Sequence, residues 1–126
     1  MAKVTGIGGV FLKCDHPDEM RAWYQKHLGI PMESWGGMFF WKADPHPEPY
    51  TVISFSSRSS HYFDPSTAPF MINFRVDNLS ELLQQLHAAG AELVGEPQDG
   101  EYGKFAWVLD PEGNKIELWE QPKGDK

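Results

Sequence analysis

The sequence predicts an α+β domain built from two copies of one strand–helix–strands unit, and an internal repeat carries most of that prediction. Lys13-Cys14-Asp15 closes one apolar run and Arg75-Val76-Asp77 closes another, 62 positions later. Each is followed by a helix-like stretch that stops at a glycine, Gly29 and then Gly90, 61 positions apart. A fixed period in a chain of 126 residues means that half of it is used twice, and the two copies are expected to share a concave surface.

Each element has its own local reason. Val4 to Cys14 is rich in Val, Ile and Phe and reads as a strand. Asp15 is the N-cap candidate of a first helix, with Pro17 in its first turn and Asp18-Glu19 facing the positive helix end. That helix carries Met20, Trp23, Tyr24 and Leu28 and stops at Gly29, with Pro31 beyond. Met38 to Lys42 and Tyr50 to Ser56 look like a hairpin around the proline-rich Asp44 to Pro49. Phe70 to Val76 opens the second unit. Asn78 caps its helix, Glu81 completes a capping box, and Leu79, Leu82, Leu83 and Leu86 form the apolar face. Phe105 to Leu109 and Lys115 to Glu120 close the chain as a hairpin turned by Asp110-Pro111-Glu112-Gly113-Asn114. The whole chain, 1–126, is expected to be one domain: a first module over about 4–56, a linker over about 57–69 and a second module over about 70–121.

Composition excludes several classes. Eleven basic against 18 acidic residues leave a net charge of −7, which disfavours a nucleic-acid partner because such partners ask for a basic patch. No apolar run reaches the ~18 residues of a membrane span, and no basic-then-apolar signal pattern opens the chain. The one cysteine, Cys14, excludes an internal disulfide and fits a reducing compartment, so a cytoplasmic protein is expected. Its parity matches Val76 in the repeat, which makes it a small hydrophobe rather than a reactive thiolate.

Strand parity sorts the remaining side chains, since successive residues face opposite sides of a sheet. Val10, Leu12, Ile72, Phe74, Val76, Ala106, Val108, Ile116 and Leu118 fall on faces that pack under helices. The opposite face carries Phe11, Lys13, Ser54, Met71, Asn73, Arg75, Phe105, Trp107, Lys115, Glu117 and Trp119. Aromatic rings among charges suit a concave small-molecule pocket; a second core or a dimer interface is the alternative.

These residues resemble a family. Trp23-Tyr24 with Leu28-Gly29, Phe74-Arg75-Val76-Asp77-Asn78-Leu79, and above all Asp110-Pro111-Glu112-Gly113-Asn114-Lys115-Ile116-Glu117-Leu118 look like the vicinal oxygen chelate superfamily of glyoxalase I, bleomycin-resistance proteins and ring-cleaving dioxygenases. The resemblance runs from Thr5 to Gln121. It implies two tandem βαβββ modules forming a U-shaped mixed sheet cup, a homodimer, Trp35 and Trp41 near the cup's rim, and in the enzymes a divalent metal at its bottom. The metal-ligand positions carried over from the glyoxalase I type are Gly9, Ser54, Met71 and Glu117, and only Glu117 is a competent ligand. No metal or other cofactor is therefore expected, with a divalent metal as the alternative.

Other chemistry is thin. His27 and His87 suit the last turns of their helices, His16 and His46 suit a solvated surface, and His61 lies in the linker, which could fold over the cup mouth. No Gly-x-Ser-x-Gly or phosphate-cradling loop is present. Glu117 is either a general base in a dry cup or half of an ion pair with Arg75. Lys13, Arg75 and Lys115 make the concave face locally basic, which favours an anionic or polar-aromatic ligand. The expected function is binding of a small aromatic or anionic molecule through Phe11, Trp35, Trp41, Ser54, Met71, Asn73, Arg75, Trp107 and Trp119. The alternatives are a glyoxalase-type lyase or isomerase using Glu117, and a non-catalytic dimeric scaffold.

Overall fold

The computed structural model describes residues 2, 3 and 7–122. The order of elements is helix α1 (Pro17–Leu28), a 3-10 turn (Trp41–Ala43), β1 (Ile72–Arg75), α2 (Leu79–Ala88), β2 (Glu92–Leu93), β3 (Gln98–Gly100), β4 (Gly103–Leu109) and β5 (Lys115–Glu120). The strands form one open mixed sheet. β1 runs parallel to β5, β5 pairs antiparallel with β4, and the short β2 and β3 share the other edge of β4. The α+β class holds.

Helix ends follow the local signals. α1 stops at Gly29, whose φ of 71° sends its N–H back to the Gln25 carbonyl at 3.1 Å. In α2 the Asn78 side chain accepts from the Glu81 N–H at 3.1 Å. At the other end of α1 the expectation is corrected. The N-cap is His16 and Asp15 caps nothing. Instead Glu112, from the β4–β5 turn, accepts from the Asp15 and His16 N–H groups at 2.7 and 2.8 Å. A carboxylate delivered by tertiary structure thus does the work of a local cap, at the positive end of the helix. Glu112→Ala is expected to cost about 1 kcal/mol, the usual value of a lost N-cap; urea denaturation would read it, and an unchanged midpoint would deny Glu112 this role.

Packing separates the two faces of the sheet as parity predicts. Ala106, Val108, Ile116 and Leu118 form one cluster with Leu79 and Leu86 of α2 and with Met20, Tyr24 and Ile30. α1 therefore packs on the sheet of the second unit. This corrects the arrangement expected for the first unit, in which the helix would cover strands of its own module. Val10, which parity put under α1, is 61% exposed, and Phe11 and Phe55 are 97% and 88% exposed. With no apolar face to bury against them, the described part of the expected first strand, residues 7–14, carries no strand. The expected hairpin of Met38 to Lys42 with Tyr50 to Ser56 is likewise not formed; Trp41–Ala43 is a 3-10 turn, and only an isolated bridge joins Met32 to Gly37. Val4, Thr5 and Gly6 lie outside the described residues. The sequence does not signal β2 and β3: both are short and built of exposed residues, and so carry no apolar alternation to read.

The proline-rich segment docks instead of turning a hairpin. His46 Nδ1 accepts from the Glu48 N–H at 2.9 Å, which leaves Nε2 to donate to the Pro122 carbonyl, also at 2.9 Å. Gln121 Nε2 donates to the Glu48 carbonyl at 2.9 Å. His46 is therefore half-buried and bonded, not a solvated surface residue. Among the described residues no helix is long and apolar enough to cross a membrane.

Candidate functional site

The sheet residues Asn73, Arg75, Glu117 and Trp119 border an open cleft of about 2220 Å³, whose lining also takes in the segments before β1 and parts of both helices, Lys26 to Leu28 and Glu81, Leu82 and Gln85 among them. Register decides who meets whom on the sheet. Asn73 of β1 lies opposite Glu117 of β5, Arg75 opposite Trp119, and across the β4–β5 hairpin Trp107 pairs with Glu117 and Phe105 with Trp119. Parity thus brings Asn73, Arg75, Trp107, Glu117 and Trp119 to one face, as the sequence predicts.

Glu117 is the centre of this face. It is 9% exposed, and three neutral groups donate to its carboxylate. Asn73 Nδ2 reaches Oε1 at 2.7 Å, Trp107 Nε1 reaches Oε2 at 3.0 Å, and the Tyr62 hydroxyl reaches the same Oε2 at 2.5 Å. A buried carboxylate without a cation is tolerable only when it is hydrogen-bonded, and here both oxygens accept, Oε1 from one donor and Oε2 from two. Burial first, and then the bond to Glu117, pushes the Tyr62 hydroxyl well above the ordinary tyrosine range, so it stays protonated and donates. The Lys115 ammonium donates to the Tyr62 carbonyl at 2.7 Å and sits 5.3 Å from the Tyr62 ring and 5.6 Å from the Trp107 ring.

Arg75 does not pair with Glu117. Its Nη1 lies 2.5 Å from Asp44 Oδ2, and both side chains are mostly buried. The two-residue offset in register gives Glu117 to Asn73, and the docked segment around His46 carries Asp44 over Arg75. The ion-pair alternative for Glu117 is thereby corrected.

The two sheet tryptophans are already covered. Trp107 is 6% exposed, with the Tyr62 ring edge-on at 6.1 Å. Trp119 stacks on Phe105 at 6.2 Å, meets Tyr50 at 5.5 Å, and donates from Nε1 to the Tyr102 carbonyl at 2.8 Å. The Trp119 ring also explains Gly103: with φ of 116°, any Cβ there would collide with the Glu120 carbonyl and the indole. Phe11, Trp41, Ser54, Met71, Asn73, Arg75, Glu117 and Trp119 line the cleft; Trp35 and Trp107 do not.

Of the linker, Tyr62 and not His61 enters the site. His61 points to solvent and bonds to Asp64 at 3.0 Å. Tyr62 and Asp44 are the residues that sequence reasoning missed, and nothing in their local pattern marks them. Asp110 is a structural centre, as its place in the turn suggests. It accepts from the Glu112 and Asn114 N–H groups at 2.9 Å, and from Asn114 Nδ2 and the Tyr24 hydroxyl at 2.7 Å.

The four positions that the resemblance assigns to a metal, Gly9, Ser54, Met71 and Glu117, all line the cleft. The donor set does not fit a divalent ion. Glycine offers no side chain, a thioether is soft, and both Glu117 oxygens already accept from protein donors. Among the described residues no three His, Cys, Asp or Glu side chains come together as a ligand group.

A family model for the glyoxalase-like domain matches residues 9–119. Among solved structures, TnmS3, an antibiotic binding protein from Streptomyces sp. CB03234, superposes with a TM-score of 0.62 at 15% identity, covering 97% of this chain and 100% of that one. A member of the glyoxalase/bleomycin resistance protein/dioxygenase superfamily from Sphaerobacter thermophilus DSM 20745 gives 0.55 at 19% identity, over 96% and 98% of the two chains. TioX from Micromonospora sp. ML1 gives 0.50 at 20% identity, over 84% and 90%. At these identities the likeness is one of fold. No curated protein matches the sequence.

Proposed function

The chain belongs to the glyoxalase-like domain family, matched over residues 9–119, and from that premise we propose that it binds a small aromatic molecule in the cleft without a resident metal. The observation that carries this reading is the capping of Glu117. A carboxylate that accepts at both oxygens from Tyr62, Asn73 and Trp107 is a hydrogen-bonding floor, whereas a metal-activating carboxylate needs further hard donors beside it, and among the described residues none gather there. Aromatic side chains from the segments before β1, Phe11, Phe40, Trp41, Tyr50 and Phe55, also line the cleft and are exposed. An antibiotic binding protein built on the same fold supports a binding role. An anionic ligand would have to displace Asp44 from Arg75, so aromatic contact rather than charge is the main attraction.

Two measurements test this. Elemental analysis of protein purified without chelator is expected to find well under one divalent ion per chain. About one Ni, Zn, Mn or Fe per chain, lost in Glu117→Ala, would overturn the metal-free reading and favour a glyoxalase-type lyase. A fluorescence screen of aromatic metabolites is expected to give a binder that quenches tryptophan emission. Trp41→Phe should remove much of that quench, while Trp35→Phe, outside the cleft, should leave it. Trp41→Ala should weaken binding by about three- to tenfold, the value of one aromatic contact.

The exposed apolar side chains of the first half, Val10, Phe11, Ile53 and Phe55 among them, support a homodimer in which a second copy covers them. Light scattering should then give about twice 14.3 kDa; the single-chain mass at micromolar concentration would count against it.

A further inference from the structure

We propose that Glu117 Oε2 is the recognition point for a neutral hydroxyl on an aromatic ligand, and that Tyr62 occupies this point in the free protein as an intramolecular stand-in. The proposal rests on the aromatic-ligand reading of the same cleft and names the chemistry that reading leaves open.

The three donors to Glu117 are not equivalent. Asn73 and Trp107 project from β1 and β4 and are placed by the sheet register. Tyr62 comes from the segment before β1, is 48% exposed, and reaches Glu117 across 55 positions of sequence. Rotation of its side chain would leave Oε2 with the Trp107 N–H alone and open toward the cleft, while its backbone stayed held through the Lys115 bond to its carbonyl. An aromatic hydroxyl arriving there would renew each contact that Tyr62 makes: a donor to Oε2, a ring edge against Trp107, and a ring under the Lys115 ammonium. The charges around the point select this chemistry. Glu117 repels a carboxylate, and Lys115, 5.3 Å from the ring position, holds its ammonium where an aromatic face suits it. A neutral O–H on a π-system suits both neighbours.

The test uses the full chain with Tyr62→Ala, at an exposed position, and two probes: 4-methylphenol, which is the tyrosine side chain itself, and toluene, which lacks only the hydroxyl. In titrations followed by the Trp107 indole N–H resonance, 4-methylphenol is expected to bind Tyr62→Ala about tenfold more tightly than toluene does. It should also bind the variant about tenfold more tightly than the unaltered protein, where Tyr62 competes; tenfold is the low end of a hydrogen bond to a charged group. The Trp107 resonance should shift on Tyr62→Ala and return with 4-methylphenol but not with toluene. Tyr62→Phe, which keeps the ring and loses the donor, should bind 4-methylphenol between the two. Equal affinity for both probes would overturn the hydroxyl assignment and leave the aromatic reading standing. Failure of both probes, beside a successful metabolite screen, would place the ligand elsewhere in the cleft and overturn this inference alone. Failure of both probes and of the screen would overturn both.

Discussion

Glu117→Ala is expected to destabilise the protein by about 3 kcal/mol, a drop of roughly 10 °C in melting temperature for a domain of this size. The substitution removes one acceptor and strands three donors. Trp107 is 6% exposed, so its N–H would be left unpaired away from water; Asn73 is half-buried, and only Tyr62 can turn to solvent at little cost. Glu117→Gln keeps one acceptor oxygen and the volume but turns an N–H toward other N–H groups, so it should cost about half as much. Urea denaturation with unchanged slope would give both values. A loss under ~0.5 kcal/mol for Glu117→Ala, as for an ordinary surface change, would mean that the carboxylate is solvated and that the capped floor does not exist in solution. Addition of a divalent ion is expected to leave the melting temperature of the unaltered protein unchanged, since ligands that bind only the native state raise it by mass action.

Asp110→Ala is expected to cost at least as much, about 3–4 kcal/mol, because it acts on two links at once. It removes the acceptor of the turn N–H groups of Glu112 and Asn114, and it leaves the Tyr24 hydroxyl orphaned in the core. The turn holds Glu112 against the start of α1, so amide exchange should rise there as well as in the turn. Protection of α1 unchanged in this variant would uncouple the two. Tyr24→Phe isolates one bond and should cost about 1–2 kcal/mol at neutral pH. It should also alter the alkaline limb of stability. Burial, then the hydrogen bond and charge of Asp110, push the Tyr24 hydroxyl well above its ordinary value of 10. The folded state thus holds this proton more tightly than the unfolded state. That contribution is fully present below pH 10 and declines above it, as the unfolded tyrosine ionises while the folded one does not. Tyr24→Phe removes it and should flatten the decline between pH 9 and 11; Tyr62, shifted the same way, keeps some slope. Parallel pH profiles for the two proteins would show that Tyr24 is not so held.

The second half was largely legible in the sequence, and its legibility has a local cause. Ile116 and Leu118 alternate with Glu117 and Trp119 over a strand bounded by a strong turn, and Leu79 and Leu86 recur at helical spacing after a cap residue. Alternation, helical spacing, caps and turns are properties of neighbours along the chain, so the sequence alone places Asn73, Arg75, Trp107, Glu117 and Trp119 on one face. The same local rules misplace the first half. Val10, Leu12 and Ile53 alternate as a strand should, but alternation only says that a face could be buried, and α1 is committed to the other half's sheet.

What the sequence determined by itself is therefore the α+β class, the C-terminal end of α1, the N-cap of α2, the β4–β5 hairpin with its turn, and the sorting of side chains by face. Tertiary structure alone decided the partners. Glu117 received Tyr62, Arg75 received Asp44, and α1 received Glu112, each from a segment distant in the chain. The physical reason is that a charged or polar side chain takes whichever complementary group the packing of remote backbone brings within about 3 Å. No spacing along a strand or helix encodes which loop arrives.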